Sequence, residues 1–297
     1  MQDKESKNEL GEFGDEIDLK ELFFVLIRGK WIISSTTIFL MMIGIFYSLS
    51  LPDIYESKAL LAPVDQSDTA AGSLKQFSSL AGLAGINLPS GDSGSNSKKA
   101  IEMIDSLNFF ENHIMPKIFI PDLIAVESWD NETNTIFYDD SIFDISSNTW
   151  FKKSKNPKQS IPSAQQSYNV FKNSHLNIIQ DDESGYVVLT IKHQSPFIAK
   201  KWTETVFEEI NSFYRQKDKE QSQNSVIYLN EQMAKTRFSE IKQVTAELLG
   251  QEIQKLTLIE ANKDYVFEYV YPPDAMEEKS GPNRQIIVFL FSFFGFL

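Results

Sequence analysis

The stretch FIAKKWTETVFEEINSFYRQKDKEQSQNSVIYLNEQMAKTRFSEIKQVTAELL, Phe197–Leu249, contains neither Gly nor Pro over 53 residues. With both helix breakers absent, it is free to run as helix. Ser195 stands at the cap position and Pro196 at the first helical position, a standard start signal. Trp202, Val206, Ile210 and Phe213 then recur at spacings of three and four. After a polar gap, Val226, Leu229 and Met233 resume the stripe, followed by Ile241, Val244 and Leu248. One unbroken helix of this length would run about 80 Å. Tyr265–Tyr271 reads as a strand that should pair in the core, yet Gly250–Asp264 spans only about 50 Å fully extended. A two-helix hairpin turning near Thr236–Glu240 reconciles these facts, and a single long helix stays compatible with the sequence.

Outward from this stretch, the ends of the chain are apolar. Trp31–Leu51 carries no charge and is mostly Ile, Phe, Leu and Met. At 1.5 Å per residue it covers the roughly 30 Å of a bilayer core. Mostly polar residues precede it and no small-x-small cleavage site follows, so it reads as a retained anchor. Lys20, Arg28 and Lys30 cluster before it and only Lys58 follows closely, which predicts a cytoplasmic N-terminus and an external middle domain. A second apolar run, IIVFLFSFFGFL, begins at Ile286 and stops at Leu297. It is expected to be the start of a second span cut short, the plainer reading being a buried strand or helix end.

The 297 residues carry a net charge of −13 and a pI near 4.8. That acidity argues against nucleic acid and anionic lipid as partners. There is no cysteine, hence no disulfide, thiolate metal site or Cys nucleophile. The alternating YESKALL, Tyr55–Leu61, reads as a strand closed by Pro63, and Gly185–His193 (GYVVLTIKH) as the strongest strand in the chain. A short helix is expected over Leu74–Leu83, a Ser/Gly-rich loop through Ser97, and a helix over Lys99–His113 with Ile101, Ile104, Leu107 and Phe110 on one face. Trp129, Phe137, Tyr138, Phe143 and Trp150 alternate with turn residues, which suggests short strands and loops. In the N-terminal tail, Asp18 with Glu21 resembles a helix cap ahead of Leu19, Leu22, Phe23 and Leu26.

No catalytic constellation emerges. His113, His175 and His193 fall in different segments, without HExxH or other ligand spacing. His193, at a strand end before the helix cap, is expected to be structural. Asp139-Asp140 and Asp181-Asp182 read as solvated turns. There is no phosphate-binding G-x-x-x-x-G-K-[ST] loop and no nucleophile elbow. No cofactor or metal is therefore expected.

The segments HQSPFIAKKWTETVFEEIN (His193–Asn211), SVIYLNEQMAKT (Ser225–Thr236) and LIEANKDYVFEYVYPPDAMEEKSGPNR (Leu258–Arg284) resemble the polysaccharide chain-length determinants of Gram-negative inner membranes, the Wzz-type co-polymerases. DEIDLKELFFVLIRGKW (Asp15–Trp31) and the strand YESKALLAP resemble the same family. The resemblance is weak across residues 64–170. It implies an α+β fold, with a membrane-proximal base and a long projecting helical hairpin flanked by two transmembrane helices. On this chain that places a cytoplasmic tail at 1–30, a first span at 31–51, a periplasmic domain at 52–284 and a truncated second span at 285–297. The base would take residues 52–214 and 262–284, and the hairpin 215–261.

The resemblance further implies a non-enzymatic regulator of O-antigen lipopolysaccharide chain length, assembled as a homo-oligomeric ring and acting on the polymerase and growing glycan. Tyr228, Asn230, Gln232 and Arg237 are candidates for oligomer or glycan contacts. Pro272, Pro273 and Pro282 match the family's Pro-rich run and with Arg284 form the linker to the second span. Family members carry several Gly in that span, whereas here only Ser292 and Gly295 supply small residues, a departure that weakens the case for close packing of the two spans. Two other readings are a membrane-anchored periplasmic sensor and an export co-polymerase partnered with a kinase.

Overall fold

The computed structural model describes residues 28–64, 93–151 and 161–296. The expected tail helix around Asp18–Leu26 and the helix over Leu74–Leu83 lie outside the described residues. The chain divides into two units. One comprises the residues up to Leu51 together with Pro282–Leu297, and the other Pro52–Gly281.

The first unit pairs two apolar helices. Helix α1, Lys30–Ser50, has a mean hydropathy of 1.9 and is, among the described residues, the one helix long and apolar enough to cross a membrane. The final helix, α8, is shorter, at 13 residues over Arg284–Phe296. The two pack closely even though α8 has few small residues. A Cβ on Gly295 would lie 2.7 Å from the Thr37 Cα, and one on Gly44 would lie 2.8 Å from the Phe291 Cβ. Thr36 Oγ1 also donates to the Gly295 carbonyl at 3.0 Å. One glycine per helix suffices because close approach is needed only where the backbones cross, and Thr36 and Thr37 supply the facing small side chains.

The second unit is built on a four-stranded antiparallel sheet. Its strands are β1 (Tyr55–Pro63), β6 (Leu176–Gln180), β7 (Val187–His193) and β8 (Phe267–Tyr271), in the order β6-β7-β1-β8. Between β1 and β6 lie α2 (Ser93–Ile104), α3 (Leu107–Phe109), α4 (Ile120–Ile124), two small hairpins and α5 (Ala164–Val170). The hairpins are β2–β3 (Val126–Asp130, Thr135–Tyr138) and β4–β5 (Phe143–Asp144, Thr149–Trp150). After β7 come α6 (Pro196–Lys235) and α7 (Ser239–Ala261).

Burial follows the periodicities. On β1, Ser57, Ala59 and Leu61 point inward at every second residue, and on β7 Val187, Leu189 and Ile191 do the same. They face Ala199, Trp202, Val206 and Ile210 of α6, which recur at helical spacing. Phe109, Phe110, Ile114 and Phe171 complete the core.

Two local expectations need correction. The helix begins at Ser93, within the expected loop, and does not run unbroken to His113. It stops after Ile104, because Ser106 turns extended (φ −111°, ψ 144°) and its hydroxyl accepts from the Phe109 N–H to cap α3. The chain continues as a π-type turn over Phe110–Ile114. The side chains that reach the core are therefore Ile104, Phe109, Phe110 and Ile114, while Leu107 is only half-buried.

Candidate functional site

The Gly- and Pro-free stretch forms two helices, α6 and α7, separated by the non-helical Thr236–Phe238. A polar latch fixes the return of the chain to the sheet. Asn211, buried in α6, accepts with Oδ1 from the backbone N–H groups of Tyr265, Val266 and Phe267 at 3.1, 2.7 and 3.0 Å. Its Nδ2 donates to the Phe267 carbonyl at 3.0 Å. One amide thus satisfies four backbone groups where β8 begins, groups that would be costly to bury unpaired. Beside it, the Tyr265 hydroxyl donates to Asp218 at 2.6 Å, Tyr269 stacks on Phe207 at 3.8 Å, and Lys219 pairs with Glu260 across the two helices.

Further along, the two helices carry more apolar surface than they bury. Val226, Leu229 and Met233 are half-buried. Ile241 and Val244 are 51% and 57% exposed, and Leu248, Ile253 and Phe238 are exposed as well. The four candidate contact residues do not form one patch. Tyr228, 61% exposed, and Gln232 share a face at i,i+4 spacing. Asn230 lies two positions from each and points elsewhere, and Arg237 sits in the link between the helices.

The linker runs back along the start of β1. Pro272 is exposed, Pro273 buried and Pro282 half-buried, and Arg284 opens α8. Between them, the Ser57 hydroxyl donates to the Asp274 carbonyl at 2.8 Å, Lys279 pairs with Asp53 at 3.1 Å, and Gly281 pairs with Ile54 as an isolated antiparallel bridge. The entry and exit strands of the unit are therefore clamped side by side.

The structure brings together two histidines that the sequence separates. His175 and His193 stack at 5.7 Å, and Trp202 meets both rings edge-on. The Ser195 N–H donates to His193 Nδ1 at 2.9 Å, so Nε2 carries the proton and donates to the Asp122 carbonyl at 2.8 Å. Burial pushes the His193 pKa down to about 4 and lowers that of His175. Both ring nitrogens of His193 are occupied by backbone groups, so its place is structural. Asp122 is raised by burial against the opposing pull of the Tyr138 hydroxyl, which donates to it at 2.6 Å.

Asp139 and Asp181 accept backbone N–H groups of the turns that follow them. Among the described residues, no group of three or more His, Asp or Glu is placed to hold a metal ion.

Residues 15–115 match the family described as Wzz, chain length determinant protein. Among solved structures, the chain is similar to a full-length bacterial polysaccharide co-polymerase at 14% identity and a TM-score of 0.39, covering 94% of each chain. It is also similar to a fragment of WzzB, a polysaccharide co-polymerase from Salmonella Typhimurium, at 14% identity and a TM-score of 0.33, over 77% of this chain and 100% of that one. None of the curated proteins matches.

Proposed function

We propose, for a chain whose residues 15–115 match the Wzz chain length determinant family, that it regulates the chain length of a surface polysaccharide without covalent chemistry. The family match carries this reading. It spans the apolar helix α1, the clamped strand β1 and the helices that follow, the part of the chain where anchor and domain join.

In this reading the polysaccharide is O-antigen lipopolysaccharide, and the chain is an inner-membrane protein with two spans. The charge asymmetry around α1 supports a cytoplasmic N-terminus with residues 52–284 in the periplasm. Exposed Ile241, Val244 and Leu248 support a homo-oligomer, since contiguous apolar surface commonly marks an interface. Tyr228, Asn230, Gln232 and Arg237 supply scattered polar and aromatic contacts to sugar hydroxyls. Each such contact is worth about 0.5–1.5 kcal/mol, so many copies acting together provide retention on the growing glycan. Contact with the polymerase runs through the spans and the Pro272–Arg284 linker.

The test is a series of single substitutions at Tyr228, Asn230, Gln232, Arg237 and Ile241, each scored for modal polysaccharide length on a gel and for assembly by light scattering in mild detergent. Graded shifts of modal length with assembly retained at the polar positions, and weakened assembly for Ile241→Glu, are expected. Disruption of Pro282 is expected to remove length control. One side chain whose removal abolishes activity in an intact assembly would point instead to a catalytic site.

A further inference from the structure

We infer that the end of the sheet unit from which the chain leaves toward its apolar helices is itself a bilayer-interface surface, seated among lipid headgroups through Tyr55, Trp129 and Phe197. This rests on the reading that α1 enters a bilayer.

Three elements bring the rings together. Tyr55 opens β1 on the face that carries Ser57, Ala59 and Leu61 into the core, at the end where that core runs out. Phe197 sits in the first turn of α6 and is 52% exposed. Trp129 comes from β2 and joins them, meeting Tyr55 edge-on at 5.3 Å and Phe197 at 6.3 Å. The placement is held by hydrogen bonds. Gln194 Nε2 donates to the Val126 carbonyl at 3.3 Å, which ties β2 to the start of α6. Trp129 Nε1 donates at 2.9 Å to Asn134, which takes the left-handed position of the β2–β3 turn (φ 50°).

Covalent reach identifies the lipid surface as the occupant. Tyr55 lies four residues beyond Leu51, a separation of at most about 14 Å. The neighbouring Ile54 pairs with Gly281, three residues before α8 begins at Arg284. The headgroup layer on each side of a bilayer adds about 5–7 Å to the hydrocarbon core. A doubly tethered edge on leashes this short stays within reach of that layer. Aromatic rings with one wet edge favour it, and Trp and Tyr are the residues enriched there. Glu127, Asp130 and Glu132 on the hairpin offset Lys200 and Lys201, one turn beyond Phe197, so the rings carry the attraction. The surface therefore suits a zwitterionic interface through its rings.

The chain contains no cysteine, so single introduced cysteines can be spin-labelled in the full-length protein in phosphatidylcholine vesicles. The label sites are Phe197→Cys at the proposed surface, Ile38→Cys within α1 and Tyr228→Cys on α6. Collision with oxygen is compared with collision with a water-soluble nickel chelate. The expected result is a deep bilayer signature at Ile38, an aqueous one at Tyr228, and an intermediate, oxygen-favoured one at Phe197. An aqueous value at Phe197 with a deep Ile38 would overturn the inference and leave the membrane reading standing. An aqueous Ile38 would overturn both.

Discussion

Asn211 does at one position what a strand partner does along a ladder. It satisfies three N–H groups and one carbonyl at the start of β8. Asn211→Ala is expected to destabilise the protein by roughly 3 kcal/mol or more, since each buried group left unpaired costs about 1–3 kcal/mol. Urea unfolding of the full chain in detergent measures this, and an unchanged midpoint would remove the latch from the explanation.

His193 sets a second test. Its folded pKa of about 4 lies below the usual 6.5, so the unfolded chain binds the proton more readily. The neutral ring's contribution is fully present above pH 6.5 and is lost as pH falls from there toward 4. The loss amounts to about 3 kcal/mol at 1.36 kcal/mol per pKa unit. The decline of stability across this window is expected to be shallower in His193→Gln. Equal slopes would show that other groups govern it.

His193 announces a structural role by its place at a strand end before the helix cap, whereas Asn211 is harder to read. Asn211 stands among the apolar stripe positions, one turn after Phe207, and its polarity there was the available signal. The pairing of His175 with His193 depends on β6 aligning beside β7, which no spacing along the chain encodes.

At the scale of elements, Gly250 and Gly295 make opposite demands. A Cβ on Gly250 in α7 meets nothing within 4 Å, while one on Gly295 strikes the Thr37 backbone at 2.7 Å. Gly250→Ala is expected to stabilise by about 0.5–1 kcal/mol through helix propensity. Gly295→Leu is expected to force α8 away from α1 and lower the thermal midpoint. Thermal unfolding in detergent distinguishes them, and a tolerated Gly295→Leu would contradict the close crossing.

The main elements were legible because their periods are clean. β1 and β7 alternate every second residue, and α6 repeats at three and four. The break at Ser106 was hidden because Ile101, Ile104, Leu107 and Phe110 keep helical spacing straight through a capping serine. The contact between α1 and α8 was hidden because it depends on Thr36 and Thr37 of one helix as much as on Gly295 of the other. The candidate contacts lie on separate surfaces, because a helix turns Asn230 away from Tyr228 and Gln232 and Arg237 sits in the link after α6.

For the whole molecule, the clamp of Ile54 on Gly281 means that entry and exit of the sheet unit act as one joint. The most direct measurement is to delete the gene and run the cell's surface polysaccharide on a gel, with the intact gene restored on a plasmid as the control. The expected result is loss of modal banding in the deletion strain and its return on complementation. Modal banding that persists unchanged without the gene would contradict a role in setting chain length.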